Sequence, residues 1–257
     1  MQTAMNYIST RGIDPNAAPQ NFSDILLGGL AKDGGLYNAY TDGGKAEAAI
    51  AGLGSRWELE QIDMRLWPSA SLIQGMATAL FDLMGKHKVD FAHVCKVRIA
   101  LSQGAFNMHG GFGTYKAKFE ALLSAHYTAA VILHDRALTL AQFEPNRYDD
   151  PKLRRFAAKQ VEARADASIS GSQAIVDVET TDGVTFSQRC EHPLGSSENP
   201  LSRGQIEQKF RTYAKGALPD AAISEVIGVV ARLEDLGSVR TLMELLSPTP
   251  RAMAAAE

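Results

Sequence analysis

The sequence contains little cysteine and no long hydrophobic run. Cys95 and Cys190 are its two cysteines and no C-x-x-C pair occurs, so neither a disulfide scaffold nor a cysteine-rich zinc site is expected. The shortage of cysteine fits a reducing compartment. The sequence contains no run of about 18 apolar residues, so no membrane-spanning helix is expected. The N-terminus also lacks the basic and then apolar order of a secretory signal. We therefore expect a cytoplasmic protein with no membrane contact.

Positive charge is not in excess either. The chain has 26 lysines and arginines against 29 aspartates and glutamates, whereas a nucleic-acid partner requires a basic surface. The six histidines form no H-E-x-x-H pattern and no cluster with ligand spacing, so no metal is expected. A Gly-x-Ser-x-Gly nucleophile elbow and a P-loop are also missing, and no cofactor is expected.

The pattern of apolar residues predicts both strands and helices. Alternation predicts strands at 91–101, 160–165, 174–181 and 184–190. Helical spacing predicts helices at 72–84, 116–133, 151–158, 205–216, 219–233 and 238–246. Because a hairpin signal joins the last two strands and helices are grouped at the C-terminus, the sequence predicts an α+β fold with a mixed or antiparallel sheet packed by helices.

The stretch around Arg65 is the first candidate for a binding site. Residues 57–66 are expected to be extended, and Ile62, Met64 and Leu66 alternate with polar residues, which predicts a strand that Pro68 ends. Ser69 or Ser71 would then cap the following helix, which brings Arg65 close to the helix N-terminus. A cation beside a helix N-terminus suits a small anion such as a carboxylate. The alternative is a purely structural strand–turn–helix in which Arg65 faces solvent.

Two further features have a functional and a structural reading. The glycine-rich stretch 104–114, which includes His109, could cradle a phosphate or carboxylate or be a flexible connector before the next helix. Tyr127 lies in the middle of a predicted apolar helix. Its hydroxyl could donate to a substrate carboxylate, or it could be a core tyrosine with a satisfied hydroxyl.

Several segments occur in the order found in one enzyme family. They are Arg65-Leu66-Trp67-Pro68 at that family's Lys-Pro-Tyr-Pro turn, a helix with Ser124, Tyr127 and Ala130, Asp150-Pro151, Thr181-Asp182-Gly183, Gly195 with Asn199-Pro200-Leu201-Ser202, and Lys209-Phe210. From about residue 35 to 248 the chain therefore resembles the C-terminal lid portion of the MmgE/PrpD family. That family includes 2-methylcitrate dehydratase, cis-aconitate decarboxylase and iminodisuccinate epimerase.

The resemblance implies a lyase or isomerase lineage acting on small polycarboxylates. It implies that Arg65 and Tyr127 bind substrate carboxylates and that Gln74 is a neutral hydrogen-bond partner. Arg65 replaces the family's turn lysine, and Gln74 stands where the family often has histidine. An arginine does not lose its proton in proteins, so Arg65 is a poor general base. No catalytic residue is assigned.

The resemblance also implies an incomplete set of domains, because the family's large helical domain has no counterpart here. Residues 1–37 instead resemble the start of threonine synthase. We expect the α+β domain at 38–200, C-terminal helices at 201–248 and a frayed tail at 249–257. The helices have apolar faces that predict a homodimer or a complex with a helical subunit.

Two functional hypotheses follow. In the first, the chain is a partial enzyme of this family that needs a partner chain to supply the general base. In the second, it is a non-catalytic remnant that serves as an assembly or binding module. Whether the chain is an enzyme therefore stays open at the level of the sequence.

Overall fold

A computed structural model describes residues 54–111 and 113–247, together with Gly52. The described residues from Gln61 onward belong to one compact unit. The short described stretch before them contains a 3-10 helix, Glu58–Gln61. The threonine-synthase-like segment and the tail 249–257 lie outside the described residues. Within the described ranges, no helix has both the length and the apolar character needed to cross a membrane.

A four-stranded mixed sheet forms the centre of this unit. Its strands are β1 Val94–Leu101, β2 Val161–Ala165, β3 Ala174–Thr180 and β4 Thr185–Cys190. The spatial order is β2-β1-β3-β4, with β1 and β2 parallel and the other two pairs antiparallel. All four predicted strands are confirmed within a few residues, and Gly183 forms the β3–β4 turn with a φ of 84°.

Nine α-helices lie in the described part of the chain. They are α1 Gln74–Lys86, α2 Gln103–Ala105, α3 Lys118–Leu123, α4 Ala125–Asp135, α5 Pro145–Tyr148, α6 Pro151–Lys159, α7 Arg203–Ala214, α8 Asp220–Val230 and α9 Val239–Leu246. The predicted α+β fold is thereby confirmed, and so are the three C-terminal helices. Their start signals are local, because Ser202 and Gln205 form a capping box on α7 and Ser238 caps α9.

Helices α1, α4 and α6 pack on one face of the sheet. That face buries alternate strand residues such as Val97, Ile99, Val176 and Val178, as the period-2 pattern predicts. The opposite face carries cross-strand ion pairs, among them Arg98–Glu179 at 2.7 Å. The folded core therefore lies between the sheet and one helical layer.

The predicted helix 116–133 is in fact two helices. They meet at Ser124, which has extended backbone angles and whose hydroxyl accepts a hydrogen bond from the N–H of Tyr127 at 3.0 Å. A capping serine at this point ends α3 and starts α4, although the apolar pattern runs through the break. The break turns α4, and Tyr127 with it, into the core.

The glycine-rich stretch is neither an open phosphate cradle nor a simple connector. Residues Phe106–Gly110 form a π-helical turn. A side chain at Gly110 would lie 2.3 Å from the Phe106 ring, so this turn requires glycine. His109 is buried and its Nδ1–H donates to the Leu123 carbonyl at 2.9 Å. Burial lowers the pKa of His109, and the bond to Leu123 offsets that effect only in part.

Candidate functional site

The segment that leads into α1 is not a strand. Ile62 and Met64 are 60% and 43% exposed. Among the described residues, the backbone around them forms one hydrogen bond to a neighbouring loop, from Met64 N–H to Gly195 O at 2.7 Å. The prediction of a strand over 62–66 is therefore wrong. Alternation of apolar and polar residues produces a strand only where a partner edge is available, and no strand of the described residues pairs with this segment.

Gln74 holds the turn that follows Arg65. Its Nε2 donates to the hydroxyl of Ser69 at 2.9 Å and to the carbonyls of Ser69 and Trp67 at 3.2 Å each. Its Oε1 accepts from the N–H of Trp67 at 3.4 Å. Gln74 is 4% exposed, so these bonds form inside the protein. Neither predicted serine caps α1, since Ser69 bonds to Gln74 and no side chain caps the preceding 3-10 turn Ser71–Ile73.

The N-terminus of α1 is covered by protein. Ile73 and Gln74 are buried, and a side chain at Gly75 would lie 2.0 Å from the carbonyl oxygen of Ser172. The loop before β3 thus lies directly on the first turn of the helix. An anion needs open first-turn N–H groups, so this part of the predicted anion site is wrong.

Arg65 itself is exposed at the rim of the turn. Its guanidinium donates to the Ser69 carbonyl at 3.5 Å, and no carboxylate of residues 54–111 or 113–247 pairs with it. Lys209 Nζ donates to the carbonyl of Arg65 at 2.6 Å. The fold therefore brings together two cationic residues that lie far apart in the sequence. Lys209 was named above only as part of the family-like Lys209-Phe210 segment, and no functional role was predicted for it.

The loop that follows β4 fixes the other side of the turn. Gly195 has a φ of 99°, and a side chain there would lie 2.0 Å from the carbonyl oxygen of Met64. The neighbouring N–H of Leu194 donates to Thr78 Oγ1 on α1 at 3.0 Å. The glycine thus lets two backbone segments approach, which places the start of α7 beside the Arg65 turn.

Tyr127 lies apart from this turn, in the core. It has no exposed surface, and its hydroxyl donates to the carbonyl of Gln142. Its ring lies 4.9 Å from that of Tyr115 and 5.7 Å from that of Phe143. Burial raises the pKa of Tyr127 above its usual range. Its role in binding a substrate carboxylate stays a prediction, since the contacts seen are all internal.

A charged network supports the loop that bonds to Tyr127. Arg147 donates to Asp135 at 3.1 Å through Nε and to Asp150 at 3.0 Å through Nη1. Gln142 Nε2 also donates to Asp135 at 3.1 Å, and His134 Nδ1 lies 2.7 Å from the same carboxylate. Burial opposes ionisation of Asp135, but these donors outweigh it and lower its pKa.

Comparison with known proteins decides the family. Residues 67–235 match the model of the MmgE/PrpD C-terminal domain. The chain belongs to the MmgE/PrpD family. A second model, that of the threonine synthase N terminus, matches residues 6–41.

Individual relatives agree with this membership. The cis-aconitate decarboxylase of Aspergillus terreus is 27% identical over 236 residues, which is 83% of this chain and 47% of that enzyme. The cis-aconitate decarboxylase of Homo sapiens is 30% identical over 142 residues, 54% of this chain and 30% of that enzyme. The chain thus spans about half the length of the first of these MmgE/PrpD relatives. Threonine synthase of Corynebacterium glutamicum is 70% identical over 33 residues, 13% of this chain and 6% of that enzyme.

The structure groups most of the family-like segments into two places, while Thr181-Asp182-Gly183 forms the separate β3–β4 turn. The Arg65 turn, the Gly195 loop and Lys209 meet at one end of α1. Tyr127 and the Asp150-Pro151 segment meet around the Asp135 network. The first group is the one that presents an exposed cation, and it is therefore the candidate binding site of this MmgE/PrpD chain.

Proposed function

We propose that this chain is the polycarboxylate-binding portion of a lyase or isomerase of MmgE/PrpD type. The observation that supports this is an exposed guanidinium, that of Arg65, on a turn held in place by the buried Gln74. A guanidinium that pairs with no carboxylate in the described part of the chain suits bidentate binding of a substrate carboxylate. The relatives are named for cis-aconitate, which carries three such groups.

Chemistry at this turn requires a proton-transfer group from elsewhere. A dehydratase or epimerase of this type removes a proton next to a carboxylate, whereas a decarboxylase breaks the C–C bond to CO₂ and adds a proton to the carbon left behind. Arg65 can stabilise the negative charge in either case but cannot transfer the proton. Gln74 is neutral at every pH and is buried, so it acts as a positioning residue. Among the described residues in hydrogen-bond contact with the turn, Lys209 is cationic and Ser69 is neutral. We therefore propose that a second chain supplies the acid–base group, a base for proton removal or a proton donor for decarboxylation.

The C-terminal helices offer the surface for that chain. Helices α7, α8 and α9 enclose an open apolar groove of about 660 Å³. Its apolar lining consists of Ile206, Phe210, Val226, Ile227, Val230, Ala231, Leu242 and Leu246. We propose that a helical MmgE/PrpD chain docks here, because a groove between helices suits an amphipathic helix and the Aspergillus terreus enzyme contains about as much sequence again as it shares with this chain.

The binding proposal is tested with cis-aconitate and thermal unfolding. At a hundredfold excess over Kd, the ligand should stabilise the protein by about 2.7 kcal/mol and raise its Tm. Arg65→Ala should lose the shift, whereas Arg155→Ala, which removes another exposed arginine, should keep it. An equal shift in both variants would sink the assignment of Arg65.

The docking proposal is tested by adding the part of the Aspergillus terreus enzyme that this chain does not match. Light scattering should show a complex, and CO₂ release from cis-aconitate should require both chains. Val230→Asp should weaken the complex, and Val184→Asp on the β3–β4 hairpin is the control, because the two valines are 51% and 44% exposed. A stable dimer of this chain alone would assign the groove to a second copy instead.

The non-catalytic alternative has one observation in its favour. Gln74 and Tyr127, two of the three predicted site residues, are committed to bonds that hold the fold together. Under this alternative, cis-aconitate binds and the two chains associate, but the mixture releases no CO₂. That combination of results would replace the enzymatic proposal with a binding or assembly module.

A further inference from the structure

A separate pocket of about 300 Å³ lies between the Arg65 turn and helix α7. Its wall is aromatic. Trp67 and Phe81 stack with ring centroids 5.0 Å apart and ring planes 16° from parallel, and both are half-buried against the core. Leu66 and Leu138 extend this apolar surface, and Tyr213 lines the pocket from α7. A flat, apolar ligand could therefore pack against this aromatic wall.

The same pocket carries positive charge and no carboxylate. Lys209 and Arg136 line it, and no described lining residue is acidic. Arg136 donates to the carbonyls of Val89 and Met84 at 3.2 and 3.3 Å, which fixes its guanidinium at the C-terminal end of α1. Neither cation forms an ion pair with a carboxylate of the described ranges. The pocket therefore has an uncompensated charge beside an aromatic wall.

The ammonium group of Lys209 is only partly engaged. One of its three N–H donors goes to the carbonyl of Arg65 at 2.6 Å. Neither of the other two donates to a residue that the structure describes, and Lys209 lines the pocket. The bond to Arg65 limits where Nζ can lie, so a ligand anion would meet a preformed donor rather than a free side chain.

We propose that this pocket binds an aromatic carboxylate, with its ring against Trp67 and its carboxylate on Lys209. The volume is at the small end of ligand pockets, which suits one or two fused rings. An aliphatic polycarboxylate would leave the aromatic wall exposed to water, and a neutral aromatic ligand would provide no negative charge for Lys209. Arg65 does not line this pocket, so the proposal does not require a carboxylate to bind at Arg65, although Lys209 belongs to both places.

The test uses 2-naphthoate and calorimetry on the full chain. 2-Naphthoate should bind at least tenfold more tightly than neutral 2-naphthalenemethanol. In 1H–15N spectra the indole signal of Trp67 should move while that of Trp57 stays in place, and Trp57→Phe assigns the two signals. Equal affinities for acid and alcohol, or no change in the Trp67 signal at millimolar naphthoate, would overturn the proposal.

Variants locate the two halves of the ligand. Lys209→Met keeps the aliphatic stem and should weaken naphthoate binding about tenfold, because a charge-assisted hydrogen bond is lost. Lys209→Arg should keep most of the affinity, and Lys159→Met on α6 should leave it unchanged. Trp67→Leu should also weaken binding, and the lysine variants decide the question if that protein does not fold.

Competition separates this site from the Arg65 site. Saturating cis-aconitate should leave the affinity for naphthoate unchanged, and Arg65→Ala should lose the cis-aconitate shift without weakening naphthoate binding. If cis-aconitate displaces naphthoate, the two sites are one and the separate pocket is rejected. If naphthoate binds and cis-aconitate does not, the proposed function fails while this inference stands.

Discussion

The side chain of Gln74 and the backbone of Trp67 exchange two hydrogen bonds across the turn that precedes α1. Trp67 N–H donates to Gln74 Oε1 at 3.4 Å, and Gln74 Nε2 donates to Trp67 O at 3.2 Å. A primary amide is the side chain that can donate and accept at the same time in this way. The pairing orients Arg65 and the Trp67 ring, so one buried amide supports both proposed sites.

Loss of this amide should destabilise the protein. Gln74→Ala leaves the N–H and C=O of Trp67 without their partner, and we expect the free energy of unfolding to fall by about 2–3 kcal/mol. Urea unfolding measures the change. Gln208→Ala, on the exposed face of α7, is the control and should stay within about 0.5 kcal/mol of the parent. Equal losses in the two variants would contradict a role for Gln74 in holding the turn.

The two backbone segments that meet at Gly195 should not tolerate a side chain. Gly195 has a φ of 99°, and Gly195→Ala places a methyl group 2.0 Å from the Met64 carbonyl oxygen. We therefore expect the free energy of unfolding to fall by about 1–3 kcal/mol. Gly228→Ala is the matched control, because nothing lies within 4 Å and the residue is helical. That change should stabilise by about 0.5–1 kcal/mol. Chemical denaturation of both variants shows whether the signs differ.

Tyr127 and Tyr115 allow a direct test of what a buried hydroxyl contributes. Tyr127→Phe removes the donor to Gln142 O and should cost about 1 kcal/mol. Tyr115 is equally buried, but its hydroxyl has no hydrogen-bond partner among the described residues. Tyr115→Phe should therefore be neutral or stabilising. Thermal unfolding of the two phenylalanine variants measures this difference. An equal change in stability in both variants would refute the hydrogen bond assigned to Tyr127.

The Asp135 network should make stability depend on pH. Asp135 has a lowered pKa in the folded protein, so its contribution is present above the unfolded-state pKa of about 3.9 and is lost as the pH falls through the folded-state value. At pH 7, Asp135→Asn should cost about 1–3 kcal/mol, and the difference from the parent should shrink below about pH 4. Unfolding curves across this range measure it.

Asp149→Asn is the control for the pH experiment. Asp149 pairs with Arg154, but its side chain is 52% exposed, so its loss should cost less than about 1 kcal/mol. A pH-independent difference between Asp135→Asn and the parent would show that the asparagine changes packing rather than charge.

Elements with local signals were predictable from the sequence. Strands β2, β3 and β4 alternate over their whole length, and β1 does so except near its start, where its pairing with β3 shifts register between Val94 and Lys96. Ser202, Ser238 and Asp150 are capping residues that mark the starts of α7, α9 and α6. Apolar spacing says nothing about a break inside a helix, which is why the cap at Ser124 was missed. It also does not reveal whether a partner strand exists, which is why the segment around Met64 was predicted as a strand but is not one.

The candidate site was predictable only in part. Arg65 could be selected because a lone cation lies at a turn next to a helix. The partners of Gln74 are backbone groups, which leave no pattern in the sequence. Lys209 reaches Arg65 across the fold, and the covering of α1 by Ser172 is likewise a long-range contact. Tertiary contacts of this kind decide the site, and local patterns contain no information about them.

The position of β1 in the sheet has a consequence for how the chain folds during synthesis. β1 is a central strand, yet both neighbours follow it in sequence, and residues 102–160 separate it from β2. The β3–β4 hairpin closes locally and fast, whereas the parallel pairing of β1 must wait for a long loop to close. Until residue 165 has been made, both edges of β1 lack a partner strand, and until residue 180 the edge that pairs with β3 still does. During that time β1 exposes a row of valine and isoleucine side chains. A nascent or partly unfolded chain is therefore most exposed to aggregation, and most visible to chaperones, at Val94–Leu101.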